Sequence, residues 1–369
     1  MVKIVQSVGT TVTAQETRID YATFRLHYTF TVGMLLTFFI LITVSQLLGD
    51  PIICEPREET VLPAINSYCW SHSTFIIPKA FFKNVPDEVP HLGIDSTKDP
   101  KEFYYLTYYQ WVYFMLLFQA ISFYIPRWLW KIWEGGKMKT LTKDLHNVLM
   151  ADEELNDKFT ALSTYLVKSW TAHNTYAAKY YFCEFLTLVN VVGQFYLLDV
   201  FFNGKFIELG GKVVGFYTSH EYIHRVNITE NIKGNPILML FPRVTKCLFR
   251  RYGASATVEA KDALCIMPLN VINEKIFIIL WFWYVLLGIF TSLSLIMNFF
   301  LIISSSIRLY ALQTRFYLVN DKDLKLLMQK GWFGDWLLMD MIGRNMDHFI
   351  FRDLVSEVAR EICTYYKHL

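Results

Sequence analysis

Long apolar stretches alternate with charged segments along this chain. No Asp, Glu, Lys or Arg occurs between His27 and Asp50, between Glu102 and Arg127, or between Lys275 and Arg308. Each of these stretches exceeds the roughly 20 residues that a helix needs to cross about 30 Å of hydrocarbon. A fourth stretch, Tyr180 to Leu198, is apolar and aromatic but contains Glu184. Because a helix satisfies its own backbone polar groups in hydrocarbon, the pattern predicts four membrane-spanning helices.

The predicted spans define the domain organisation. Pro126 is expected to end or kink the second span. Polar residues precede the first span, so we expect it to remain as an anchor and not to be cleaved as a signal peptide. The predicted spans are 28–49, 103–126, 180–198 and 276–303, and they separate an amino-terminal segment 1–27, a first outer loop 50–102, a central loop 127–179, a second outer loop 199–275 and a tail 304–369.

Basic residues near the span ends predict the orientation. Only Arg57 lies near the exit of the first span, whereas five basic residues follow the second: Arg127, Lys131, Lys137, Lys139 and Lys143. The positive-inside rule therefore places the central loop in the cytoplasm, and an even number of spans puts both termini there as well. The second outer loop is also rich in Lys and Arg, but loops longer than about 60 residues translocate largely regardless of charge.

The composition agrees with a membrane protein. Hydrophobic residues make up 53% of the chain and charged residues 18%, which is too apolar for a soluble protein of this size. No polybasic block or basic patch interleaved with aromatic residues occurs, so a nucleic-acid partner is set aside. We expect membrane lipids to be partners.

Cysteine placement supports the same topology independently. Cys54 and Cys69 lie in the first outer loop, and Cys247 and Cys265 lie in the second. Paired cysteines persist on the oxidising side of a membrane, whereas the remaining two, Cys183 and Cys363, are expected to be free thiols. Four cysteines allow three pairings.

Several segments of the chain resemble those of one protein family. Tyr108-Tyr109-Gln110-Trp111-Val112 is similar to the YYQWV signature at the start of the second span of the innexins, the invertebrate gap-junction proteins. The match runs from about Phe24 to about Asp347. Two cysteines in each outer loop also suit the vertebrate pannexins, whereas connexins have three. Other segments that carry the resemblance are 50–52, 68–70, 127–136, 241–247 and 268–275, together with 331–339, which is similar to a GDW tail motif.

The resemblance implies an all-α polytopic membrane protein with four transmembrane helices, disulfide-linked extracellular loops and a helical cytoplasmic domain. It further implies a homo-oligomeric hemichannel in the plasma membrane, octameric by analogy, with other innexins as candidate partners. Two docked hemichannels of apposed cells would form a gap junction that passes ions and small metabolites, without catalysis or a cofactor. Similar distances from the membrane, together with the resemblance, favour the pairs Cys54–Cys265 and Cys69–Cys247.

The amino-terminal segment and the start of the first outer loop are expected to line the pore. The resemblance implies that the segment from about Val2 to Asp20 folds into the cytoplasmic mouth. Acidic residues outnumber Arg57 just after the first span, and a ring of subunits would multiply this excess and weakly favour cations. Screening over about 8 Å at physiological ionic strength opposes that preference. The predicted pore-lining residues are Val2, Lys3, Asp50, Glu55, Glu58 and Glu59.

Two motifs in the second outer loop suggest other chemistry. His220-Glu221-Tyr222-Ile223-His224 matches the H-E-x-x-H pattern of zinc proteases, in which two histidines bind zinc and the glutamate serves as general base. Nearby glycines weaken the helical support that this pattern needs, so a chance match is favoured. Asn227-Ile228-Thr229 is a glycosylation sequon. Alternatives to a junction-forming innexin are a pannexin-like hemichannel that does not dock, a membrane zinc metalloprotease and an adhesive tetraspan protein.

Individual side chains carry further expectations. Glu184 is expected to partner a neighbouring helix and to benefit from nearby Lys179, because an unpaired acid in hydrocarbon is costly. Gln110 is expected to bond to a neighbouring span, and Tyr109 and Trp111 to lie at the membrane–water boundary.

Two loop segments also carry expectations. A helix is predicted to start near Asp152 in the central loop. The turn Tyr252-Gly253-Ala254-Ser255-Ala256 stands where the family has Y-G-P-S-G, so its geometry is less predetermined.

Overall fold

The chain divides into two compact units. A computed structural model describes residues 17–55, 62–97, 99–142, 145, 152–218, 233–253 and 255–365. Unit 1 comprises Met1–Tyr28, Tyr124–Leu188 and Phe290–Leu369, and unit 2 comprises Thr29–Phe123 and Val189–Ile289.

Four helices in the described part of the chain are long and apolar enough to cross a membrane: α1 (Ala22–Leu48), α3 (Val112–Glu134), α6 (Asn174–Phe201) and α9 (Leu269–Ile303). Each helix leaves large apolar side chains exposed; Ile40, Phe118, Val192 and Met297 are 55–61% exposed. Apolar surface on this scale requires lipid or an apolar partner. The predicted four-helix membrane fold is confirmed.

The helix boundaries differ from the predicted spans at several points. The helix α3 begins at Val112, because the preceding residues form a strand and a 3-10 turn at Tyr108–Gln110. Pro126 lies inside α3, which continues to Glu134, so Pro126 does not end the helix; the alternative that it kinks the helix stays a prediction. Trp130 stabilises this extension because its side chain is fully buried and packs against Tyr180 with ring centroids 5.1 Å apart.

Unit 2 contains a five-stranded antiparallel sheet that the sequence patterns did not predict. The strands are β1 (Ile53–Glu55), β2 (Thr74–Ile76), β3 (Tyr104–Leu106), β4 (Val244–Tyr252) and β5 (Val258–Ile266). Their order in the sheet is β1-β5-β4-β2-β3. The long hairpin of β4 and β5 pairs Val244 with Ile266 at one end and Tyr252 with Val258 at the other.

Short helices complete unit 2. The helix α2 (Leu62–Ser71) follows β1, α7 (Leu209–Thr218) follows α6, and α8 (Pro236–Leu240) precedes the hairpin. The Asn235 side chain caps α8 by accepting a hydrogen bond from the backbone N–H of Ile237, which satisfies one of the free donors of a helix start.

Unit 1 is helical in its described residues. The helix α5 begins at Asp152, as the sequence predicts. A common core brings together the side chains of Trp130, Leu166, Leu327, Leu337 and Phe351 with other apolar residues. Besides parts of the four long helices, unit 1 contains α4 (Lys137–Leu141), α5 (Asp152–Lys168), α10 (Ser305–Arg315), α11 (Asp321–Lys330), α12 (Phe333–Gly343) and α13 (His348–Tyr365).

Candidate functional site

Two disulfides join the first loop of unit 2 to its hairpin. Cys54 on β1 is bonded to Cys265 on β5, and Cys69 on α2 is bonded to Cys247 on β4. This is the pairing favoured by the sequence analysis. The four cysteines are buried together with Ile52, Ile65 and Ala263. The disulfides therefore form the centre of a small core that holds loop and hairpin together.

The signature segment before α3 clamps the end of α2. The Tyr109 hydroxyl lies 3.0 Å from the carbonyl oxygen of Cys69 and 2.6 Å from that of His72. Gln110 Nε2 donates to the carbonyl oxygen of Trp70 over 2.5 Å. These carbonyls belong to the last turn of α2 and the residue after it, where a helix has no internal donors left. The signature thus orients the helix that carries Cys69.

This arrangement corrects one expectation about the signature. Gln110 bonds to the end of α2 and to no neighbouring span in the described residues. Tyr109 is 1% exposed and Trp111 is 58% exposed. A location at the membrane–water boundary stays a prediction for both rings.

A buried polar network connects the start of α3 with the start of α9. The Tyr108 hydroxyl donates to Asn270 Oδ1 over 3.0 Å, and Asn270 Nδ2 donates to the carbonyl oxygen of Pro242 over 2.7 Å. Asn273 Nδ2 also lies 3.3 Å from Asn270 Oδ1. Burial raises the pKa of Tyr108 well above its usual value, so its hydroxyl stays a donor. No sequence pattern predicts this pairing, because 162 residues separate the two partners.

The predicted pore-lining acids are only partly within the described residues. Asp50 follows the end of α1 and Glu55 ends β1, and both are exposed. Val2, Lys3, Glu58 and Glu59 lie outside the described residues. Exposure leaves Asp50 and Glu55 available to an aqueous path.

The tip of the hairpin has an unusual backbone. Ala256 has a φ of 58°, in the left-handed region. Its N–H donates to the carbonyl oxygen of Gly253 over 3.0 Å, and the Gly253 N–H donates to the carbonyl oxygen of Thr257 over 2.8 Å. Ala256 therefore occupies the position at which the innexin pattern has a glycine, and it adopts the conformation that glycine tolerates best.

Glu184 is satisfied by a neighbouring helix within unit 1. Its two carboxylate oxygens accept hydrogen bonds from Ser294 Oγ and Asn298 Nδ2 on α9, each over 2.6 Å. Lys179 points elsewhere, with its ammonium 5.9 Å from the centre of the Trp133 ring. The expectation of a neighbouring-helix partner is confirmed, whereas pairing with Lys179 is absent from the described contacts.

The residues just before α1 are anchored in unit 1. The carbonyl oxygen of Ile19 accepts from Trp130 Nε1 over 2.8 Å. Asp20 accepts from Arg127 over 2.7 Å and from the Tyr28 hydroxyl over 2.9 Å. Arg25 lies 3.3 Å from the same carboxylate. The end of the predicted pore segment is thus held by an ion-pair cluster.

The tail and the central loop meet around Asp335. The Asp335 carboxylate accepts from the N–H groups of Thr171 and Trp332 over 3.1 and 2.9 Å and lies 3.0 Å from His173 Nδ1. A Cβ added to Gly334 would lie 2.4 Å from the carbonyl carbon of His173. The motif therefore needs glycine for close approach and aspartate to satisfy the N–H groups it meets.

The described residues offer no zinc site. His220, Glu221 and His224 lie outside the described residues, as does Asn227. The one cluster of potential ligands in the described part is Cys54, Cys69 and Cys265. These sulfurs are bonded in disulfides, so they do not fit a metal, which requires thiolates.

Similarity to known proteins identifies the family of this chain. The innexin family model matches residues 20–362. The chain is 40% identical over 363 residues to Innexin shaking-B of Drosophila melanogaster, covering 98% of this chain and 95% of that protein. It is 41% identical over 348 residues to Innexin inx1 of Schistocerca americana, covering 94% and 93%. It is 39% identical over 345 residues to Innexin inx2 of Drosophila melanogaster, covering 93% and 91%.

The match includes all four candidate spans, both disulfides and the signature before α3. Because these residues resemble those of the family and the match covers nearly the whole chain, the chain belongs to the innexins, the family of gap-junction channel proteins.

Proposed function

We propose that this innexin forms an octameric hemichannel in the plasma membrane, with both termini in the cytoplasm and unit 2 outside the cell. Two such hemichannels dock through their outer loops into an intercellular channel for ions and small metabolites. Other innexins are candidate partners within the ring. No cofactor takes part.

The distribution of cysteines between the two units is the main support for the proposed orientation. All four disulfide-bonded cysteines belong to unit 2, whereas the free cysteines Cys183 and Cys363 belong to unit 1. Disulfides persist in oxidising surroundings and free thiols in the reducing cytosol. The basic residues after the second predicted span support the same orientation. Accessibility of a tag at each terminus before and after permeabilisation tests it.

The free end of the hairpin is our candidate docking surface for the opposing hemichannel. The strand β1 pairs only with residues Ile266, Cys265 and Leu264 of β5, so in the described structure the outer half of the hairpin is a two-stranded ribbon. Tyr252 and Val258 at its end are 76% and 64% exposed. Exposed apolar side chains at the end of a disulfide-stiffened hairpin suit a pre-organised contact.

Paired cells that both express the protein provide the test, with junctional current and single-membrane current recorded together. We expect both currents in the unmodified protein. Tyr252→Ser with Val258→Thr should remove junctional current and leave single-membrane current. Tyr317→Ser in unit 1, where the tyrosine is 79% exposed, is the matched control. Junctional current that survives the hairpin changes would exclude this docking surface.

A glycan at Asn227 would hinder docking sterically, because it is bulky and hydrated. If the unmodified protein gives single-membrane current without junctional current, and Asn227→Gln restores coupling, then the protein is a pannexin-like hemichannel under ordinary conditions. We favour docking, because the outer-loop framework resembles that of junction-forming innexins.

Weak cation preference is a further part of the proposal. Asp50 and Glu55 are exposed, and a ring of subunits repeats these acids around one axis together with Glu58 and Glu59. Reversal potentials in asymmetric KCl should show cation preference that Glu58→Gln with Glu59→Gln reduces. Asp87→Asn, at an exposed acid elsewhere in the first loop, is the matched control. Anion preference, or no change in the double variant, would contradict this proposal.

A further inference from the structure

A partly open cavity of about 660 Å³ lies within unit 1. Its volume falls within the range of about 300–1,000 Å³ that is usual for ligand sites. Its walls come from the start of α1, from the last turns of α9, and from α10 with Arg344. None of the contacts described above for the channel accounts for it.

The walls differ in chemistry. The membrane helix α9 contributes Leu293, Met297 and Leu301 to an apolar wall. Its polar lining residues, Ser294 and Asn298, donate to Glu184. Met297 is 57% exposed although it lies on a predicted span. The wall from α10 and beyond instead carries Thr314, Arg315 and Arg344. An occupant that fits both walls has an apolar part and a polar, anionic part.

The two arginines are held in place and keep an excess of positive charge. Both pair with the buried carboxylate of Asp340, and Arg344 Nε lies 3.0 Å from its Oδ2. The Tyr21 hydroxyl donates to the same oxygen over 2.8 Å, and the Arg344 guanidinium lies 4.3 Å from the centre of the Tyr21 ring. Two cations therefore share one anion.

The guanidinium groups can reach a ligand. The Arg315 and Arg344 side chains are 39% and 24% exposed. A guanidinium has five N–H donors in a planar fork that suits phosphate. The pairing with Asp340 engages Arg315 through Nη1 and Arg344 through Nε, so other N–H groups of each side chain can face the cavity.

We propose that this cavity binds an anionic phospholipid, with the headgroup phosphate at Arg315 and Arg344 and an acyl chain along the apolar wall of α9. A soluble anion would leave the apolar wall uncovered, and a zwitterionic lipid would bring a cation of its own to a site that already has an excess of positive charge. The choice of leaflet rests on the proposed function: with unit 1 in the cytoplasm, the cavity opens to the leaflet that carries the anionic lipids.

Binding here would join parts of the channel that the chain sequence keeps far apart. The cavity is lined by Tyr21 and Thr23, directly after the predicted pore segment, and by α10 of the tail. A lipid that contacts both would favour the arrangement of α1 and α10 in which the cavity is formed.

Native mass spectrometry of the purified full-length oligomer tests the proposal. The oligomer is equilibrated with equal amounts of phosphatidylserine and phosphatidylcholine, and retained lipid is counted. We expect preferential retention of phosphatidylserine, reduced about fivefold for each arginine removed in Arg315→Gln and Arg344→Gln, the scale of one basic side chain at an anionic lipid surface. Arg352→Gln, at an exposed arginine that pairs with Asp353 and does not line the cavity, should change nothing.

A second variant keeps every charge in case removal of an arginine unfolds the tail. Ala311→Phe places a ring in the cavity, which Ala311 lines, and should reduce retention of both lipids. Unchanged phosphatidylserine retention in this variant and in the folded arginine variants would overturn the proposal.

Two other results would assign the cavity to a different occupant and also overturn it. Competition by glycerophosphoserine as strong as by the intact lipid would indicate a soluble-anion site. Loss of the oligomer in Ala311→Phe would indicate that a neighbouring subunit covers the cavity. The assay measures neither coupling nor topology. Failure of docking or of the proposed orientation can therefore be distinguished from failure of lipid binding.

Discussion

The Tyr108 hydroxyl donates a hydrogen bond to Asn270 Oδ1 over 3.0 Å, and both side chains are buried. The first residue belongs to the signature before α3, and the second lies in the first turn of α9. Asn270 in turn donates to the carbonyl oxygen of Pro242, just before the disulfide-bonded hairpin. Two segments that carry the family resemblance are thus two sides of one buried contact.

Loss of the Tyr108 hydroxyl should destabilise unit 2. Tyr108→Phe should lower the free energy of unfolding by about 1 kcal/mol, because Asn273 still reaches Asn270 Oδ1. Asn270→Ala should cost more, since it leaves the Tyr108 hydroxyl and the Pro242 carbonyl without this partner. Thermal unfolding of the purified oligomer measures both. Tyr105→Phe, at a tyrosine that is 51% exposed, is the control, and equal stability of all four proteins would disprove the importance of this contact.

Gly334 should tolerate no side chain. In Gly334→Ala the new Cβ would lie 2.4 Å from a backbone carbon of His173, a clash that only backbone movement can relieve. We expect reduced thermal stability and less protein at the cell surface. Gly211→Ala in α7 is the control, because nothing lies within 4 Å of its Cβ position and alanine favours helices by up to about 1 kcal/mol. A Gly334→Ala protein as stable as the Gly211→Ala protein would contradict the described contact between α12 and the central loop.

Glycine at position 256 should stabilise the hairpin. The φ of 58° at Ala256 costs a non-glycine residue roughly 1 kcal/mol, so Ala256→Gly should raise the free energy of unfolding by up to that amount. The greater freedom of glycine in the unfolded chain offsets part of the gain. Calorimetry of the purified protein measures the difference. Ala260→Gly on β5 should have the opposite sign, and a loss of stability in Ala256→Gly would exclude the left-handed turn.

Each disulfide should contribute strongly to the stability of unit 2. The bridges Cys54–Cys265 and Cys69–Cys247 span 211 and 178 residues, for which the chain-entropy model gives about 5 kcal/mol each as an upper estimate, because membrane insertion already restrains the unfolded chain. Cys54→Ser should therefore abolish surface expression, whereas Cys363→Ser should leave it intact. Peptide mapping under non-reducing conditions that found Cys54 joined to Cys69 would refute the pairing.

Much of the architecture follows from local sequence. Long apolar stretches, three of them free of charged residues, located the four spans because hydrocarbon accepts only long apolar segments whose backbone groups are satisfied internally. Asp152 marked the start of α5 because helix starts favour acids. Pro126 does not end α3, because burial of Trp130 stabilises the helix beyond it. None of the five strands was predicted. For β1, β2 and β3 the reason is that each has three residues and gains stability only from partners distant in the chain.

The number of spans, the two groups of cysteines and the family follow from composition and from patterns within short segments. Three arrangements arise only from the folded chain: Tyr109 bonds to the end of α2, Glu184 accepts from Ser294 and Asn298, and Arg315 and Arg344 share Asp340 beside a cavity. Such contacts join residues far apart in the chain. Their energies depend on burial and on distances between atoms, which no local pattern of residues encodes.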